Sequence, residues 1–116
     1  MKLLPLCVLM LFVACGSAFS QIAASLDQPQ CYEGVGCPHK DPIKETQLKD
    51  YSCQNLWLVR NTILHQRGYC FQTKRGQAEF DNKKCSIKAV SELKLGPVEK
   101  ANVATLEKVE RRKGCQ

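Results

Sequence analysis

The sequence has two histidines and one tryptophan, no two cysteines three positions apart, and no apolar run after residue 14 long enough to cross a bilayer. Each shortage excludes something. His39 and His65 match no zinc-ligand spacing, so no metal centre is expected. The single long apolar run, residues 3–14, is too short for a transmembrane helix, so no membrane span is expected either. Acidic residues are also scarce, with 11 Asp and Glu against 17 Lys and Arg, a net charge of +6.

What is present begins with Lys2, then the apolar run, then small residues, the layout of a secretory signal peptide over residues 1–20. Two cleavage readings follow. Ala18, Phe19 and Ser20 offer a cut before Gln21, which gives a soluble exported chain; Phe12, Val13, Ala14 and Cys15 offer a lipobox-like cut with a lipid anchor on Cys15. Export sets the excess positive charge against anionic envelope surfaces such as peptidoglycan or lipid phosphates, and not against nucleic acid. With Cys7 and Cys15 in or beside the leader, six cysteines remain: Cys31, Cys37, Cys53, Cys70, Cys85 and Cys115. An even number in a small exported chain implies three disulfides, which a domain of this size needs because its core is modest.

Residues 21–30 show no apolar periodicity and form a leader or tether, followed by one domain over residues 31–116. Cys31 and Cys37 enclose two glycines in a small loop, and Pro38 and Pro42 keep the chain extended to about Leu48. A first helix starts after Asp50 or Ser52 and stops at Arg67 before Gly68. Leu56, Trp57, Val59, Ile63 and Leu64 form its apolar face; Arg60 and Arg67 interrupt that face, while His65 lies on the solvent side. Residues 77–83 around Phe80 suit a short second helix. A third starts at Pro97 and continues to about Lys113 before Gly114, with a stripe of Val98, Ala101, Thr105, Leu106 and Val109. The expected fold is mainly α, a small disulfide-stapled three-helix domain with a loop-rich N-terminal segment; a hairpin between Cys70 and Cys85 is compatible with it but not required.

Cys53 and Cys70 sit at opposite ends of the first helix, about 25 Å apart, and cannot pair. If the first and third helices run antiparallel, the pairs are Cys31–Cys37, Cys53–Cys115 and Cys70–Cys85. The competing set joins Cys53 to Cys85 and Cys70 to Cys115.

The run LWLVRNTILHQRGYCF, residues 56–71, resembles the YARHG domain, whose signature is roughly L-x-x-x-R-N-x-I-Y-A-R-H-G-Y-x-F. Leu56, Arg60, Asn61, Ile63, Gly68, Tyr69 and Phe71 match in order and spacing, and Phe80 suits a downstream aromatic. The resemblance spans about residues 51–86. The eponymous stretch is replaced by Leu64, His65, Gln66 and Arg67, so no role of those four side chains carries over. The resemblance implies an extracellular protein with a loose association to cell-wall binding.

An arginine on an apolar face needs a partner, because an unpaired interior guanidinium is very costly. Asp50, Glu79 and Asp81 are the candidate acceptors for Arg60. On the functional alternative, Arg60, Arg67 and Asn61 fork around a ligand carboxylate or phosphate, such as a peptidoglycan stem peptide. Trp57, Tyr69, Phe71 and Phe80 read as core or as a sugar-stacking surface, and Arg111, Arg112 and Lys113 as helix capping or phosphate contacts. Cys37, Pro38 and His39 are followed by Lys40 where a dithiol enzyme needs its second cysteine, and no nucleophile, base and orienting group can be assembled. The expectation is therefore a non-enzymatic envelope protein without cofactor, binding cell-wall or other anionic material; the alternative is a protein-interaction module, an inhibitor or effector.

Overall fold

The computed structural model describes residues 30–116. The expected signal segment, the Cys15 anchor and residues 21–29 of the tether lie outside the described residues.

Helix α1, Cys53–Gln66, starts where the Ser52 hydroxyl accepts the Asn55 N–H at 3.1 Å. It ends at Arg67 because Gly68 takes a φ of +89° and donates its N–H to the His65 carbonyl at 3.0 Å. Helix α3, Pro97–Arg112, has Pro97 in its first turn, and Glu99 reaches back to the Gly96 N–H at 3.0 Å. The two helices pack together. They are antiparallel: Cys53 at the start of α1 bonds Cys115 just beyond α3, while Arg67 at the end of α1 meets Glu99 at the start of α3.

Leu56, Val59 and Ile63 of α1 meet Leu106 and Val109 of α3 in the main core, which Val35, Ile43 and Leu48 complete. Val35 arrives on the loop closed by Cys31–Cys37, whose Tyr32 and Gly36 form an antiparallel bridge. The segment after Pro38 differs from the extended expectation: it turns at residues 38–41 and then winds into a 3₁₀ turn, Glu45–Leu48, which packs on α3. Leu48 must point into the core, and the tighter winding delivers it there fully buried.

The other side of α1 carries a second, aromatic cluster. Phe71 and Phe80 stack with ring centroids 4.7 Å apart, and Trp57 and His65 close on Phe80 at 5.8 and 5.3 Å. His65 is therefore partly buried and not on the solvent side; its Nε2 lies 3.0 Å from the Asp81 carbonyl. Trp57 belongs to this side, covered by the Arg75 guanidinium at 4.0 Å, and Leu64 is buried outside the main core. The second helix falls earlier than expected, at α2, Lys74–Glu79, because Thr73 caps it and Phe80 must leave the helix to reach Phe71. Gly76 is required here: a Cβ would stand 2.7 Å from the Phe71 ring. Cys70–Cys85 closes this unit, and in place of a hairpin there is one parallel bridge, Tyr69 to Ile87.

The disulfides thus follow the antiparallel set: Cys31–Cys37, Cys53–Cys115 and Cys70–Cys85. The stripe of α3 also differs. Its buried residues are Glu99, Asn102, Leu106 and Val109, whereas Ala101 is exposed. Asn102, 1 % exposed, donates to the carbonyls of Pro38 and Asp41 at 2.8 and 2.9 Å and accepts the Ile43 N–H at 2.8 Å. One side chain therefore fastens the whole 38–43 turn to α3.

Candidate functional site

Cys53, Arg60 and Arg67 are spaced seven residues apart, close to two helical turns, so they fall on one seam of α1. Arg60 forks onto Glu110, with Nε to Oε1 at 2.6 Å and the terminal nitrogen to Oε2 at 3.1 Å. Arg67 grips Glu99 through Nε at 2.8 and 3.0 Å. Asp50, Glu79 and Asp81 are thus not the acceptors: the seam is formed with α3, whose Glu110 and Glu99 supply the carboxylates. Asn61, buried, donates to the Trp57 carbonyl at 2.8 Å within its own helix. The structure does not bring Arg60, Arg67 and Asn61 to one ligand-facing fork: the two guanidiniums are engaged along the interhelical seam.

The Glu99 side chain is 2 % exposed against 46 % for Arg67. Burial acts to raise its pKa, but the Arg67 guanidinium and the Gly96 N–H outweigh burial and hold the carboxyl below the ordinary 4.5. A depressed folded-state pKa contributes stability that is complete above pH 4.5 and is lost as the pH falls through the depressed value. Thermal melts between about pH 7 and pH 3 should therefore show a falling midpoint at the acid end, and Glu99→Gln should flatten that fall. Equal acid sensitivity in the variant would place its origin elsewhere.

The last turns of α3 carry cations, which the negative end of the helix dipole favours. There they meet the 3₁₀ turn. Glu45 receives Lys108 Nζ at 2.6 Å and Arg112 at 2.7 Å. These two partners, Lys108 first, hold its carboxyl below the usual range. Lys113 Nζ donates to the carbonyls of Lys49 and Tyr51 at 2.8 and 2.6 Å, tying the chain before α1 to the end of α3. The result is an open groove of about 340 Å³ in which Glu45 is the one carboxylate beside Lys49, Arg112 and Lys113, floored by Val109. Arg111 is exposed next to it. Of the residues read from sequence as capping or phosphate contacts, Arg112 and Lys113 are thus brought together with Lys49 and Lys108, two residues that only the folding of the 38–49 segment could reveal.

A second groove, about 350 Å³, is lined by Tyr32, Tyr51, Leu58, Val59, Glu33 and Asn55. Tyr51 donates to the Glu33 carbonyl at 2.7 Å, and the Tyr32 hydroxyl meets that of Thr62. Among the described residues no group of His, Cys, Asp and Glu could hold a metal ion, and no helix is long and apolar enough to cross a membrane.

The sequence model of the YARHG domain matches residues 39–111, well over half of the chain. The chain belongs to the YARHG domain family. The match is wider than the signature around α1 and takes in the 3₁₀ turn, the aromatic cluster and nearly all of α3. The signature residues of the YARHG domain have structural places here: Leu56 and Ile63 in the core, Arg60 on the interhelical seam, Gly68 at the helix stop, and Tyr69 edge-on to Phe71 at 4.9 Å. No curated protein and no solved structure matches the chain. The YARHG domain and the three disulfides are consistent with an exported protein, because disulfides persist in oxidising compartments.

Proposed function

We propose that this is a non-enzymatic envelope protein, secreted or periplasmic, that binds cell-wall or other anionic envelope material through the basic groove between the 3₁₀ turn and the end of α3. The observation that carries the reading is the charge arrangement there: Lys108 and Arg112 share a single, 35 % exposed carboxylate, Glu45, and Lys49 and Lys113 line the same groove. An anionic polymer can share or take over those cations at little desolvation cost, since all are at the surface. On this reading Arg60, Arg67 and Asn61 hold the scaffold, and the groove takes the role that the sequence offered to them. The protein-interaction alternative has less support: among the described residues the large apolar side chain left exposed is Val90 alone.

The test is co-sedimentation of the oxidised mature chain with purified peptidoglycan across a salt series, alongside a variant carrying Arg111→Gln, Arg112→Gln and Lys113→Gln. Wild type should bind at physiological ionic strength, and the variant should bind about tenfold more weakly while still unfolding cooperatively. Equal binding by the folded variant would remove the groove from the account, and no binding by wild type would remove peptidoglycan as the ligand.

A further inference from the structure

The two grooves meet at one short strip of chain, residues 49–51. Lys49 lines the basic groove and Tyr51 the other, and Lys113 holds the carbonyls of both residues. The chemistry differs between them. The first presents cations; the second presents two half-buried tyrosine rings and Leu58, with the exposed Asn55 and Glu33 beside them. Tyr32 and Tyr51 have their hydroxyls fixed, which holds the rings in place, whereas the side chains of Asn55 and Glu33 make no bond among the described residues. Apolar ring faces flanked by a free amide and a free carboxylate suit a sugar: C–H faces pack on the rings, and hydroxyls pair with the amide and the carboxylate. Glu33 also gives direction. An acidic substituent is repelled from its groove and drawn to Lys49, Arg112 and Lys113 in the neighbouring one.

We infer that the two grooves form one site for an acidic polysaccharide, with a sugar ring against Tyr51 and Asn55 and its acidic groups over the Lys49–Arg112–Lys113 side. This rests on the proposed function and narrows its ligand from any anionic polymer to one that carries sugar hydroxyls.

Calorimetric titration of the oxidised mature chain with three probes separates the two levels: a galacturonic acid hexamer, its carboxyl-reduced neutral counterpart, and a polyphosphate chain of equal charge. The acidic hexamer should bind at least about tenfold more tightly than either of the others. Asn55→Ala, an exposed position whose side chain has no structural bond, should weaken the acidic hexamer about fivefold and leave polyphosphate unchanged. The Asn55 side-chain amide should also shift in NMR spectra on adding the acidic hexamer and stay put on adding polyphosphate. Equal affinity for polyphosphate with no effect of Asn55→Ala overturns the inference while leaving a basic anion-binding groove. Equal affinity for the neutral hexamer overturns it as well, and no binding of any probe or of peptidoglycan overturns both readings.

Discussion

Replacing Cys53 and Cys115 together by alanine should lower the stability of the domain by about 4 kcal/mol, the chain-entropy value for a crosslink between residues 62 apart. The same replacement of Cys31 and Cys37, only 6 apart, should cost about half as much. Urea unfolding of the two variants checks the order. For a small domain, whose total stability is about 5–15 kcal/mol, the first loss removes a large share of it. Its effect should reach the groove, because Lys113 stands two residues before Cys115 and depends on the same closure. Equal unfolding midpoints for the two variants would show that the long closure is already restrained in the unfolded chain, so that the entropy argument does not apply.

Asn102→Ala should be nearly as damaging, costing about 3 kcal/mol or more. The alanine would strand two carbonyls, of Pro38 and Asp41, and the Ile43 N–H, each of which costs roughly 1–3 kcal/mol when buried without a partner. Water entering the gap would reduce the sum, which is why the lower end is expected. Asn102→Asp is the informative companion: it keeps the acceptor for Ile43 but turns a carboxylate oxygen toward two carbonyls, so it should be no more stable than the alanine variant at neutral pH and should recover as the carboxyl is protonated. Limited proteolysis should open both variants first at residues 38–43. Cleavage appearing first in the aromatic cluster would show that the turn is held by something other than this amide.

The residues that stop and start helices were legible because their roles are local. Ser52, Gly68, Pro97 and Gly114 act through the backbone around them, and their chemistry is the same in any fold. The cysteine positions excluded only Cys53–Cys70, since α1 is too long for its two ends to be joined; they left two sets open, and the Cys53–Cys115 closure of the antiparallel helix pair decides between them. Glu99 and Asn102 were missed for the opposite reason. An apolar count assigns α3 a face through Ala101, whereas the buried face runs Glu99, Asn102, Leu106, Val109 with spacings of three, four and three. That spacing is visible in the sequence once polar residues are admitted to it, but their partners, an arginine from α1 and a turn some sixty positions earlier, are not. His65 looked solvated on a helical wheel because Phe71 and Phe80 return over it only after the chain has reversed at Gly68. The basic groove was half visible: the run at the end of α3 is plain, but Lys49 joins it only because the chain after Pro38 winds instead of extending.

The seven-residue spacing of Cys53, Arg60 and Arg67 has a consequence for how the helix pair comes apart. Its three fasteners differ in kind: a covalent bond at one end, a forked ion pair in the middle and, at the other end, an ion pair between Arg67 and a buried carboxylate that also caps α3. A reductant attacks only the first, and acid weakens the last while leaving the covalent end closed. The domain should therefore loosen like a zip with different teeth, from the Cys53 end in reducing surroundings and from the Glu99 end in acidic ones, and survive either insult alone better than both together.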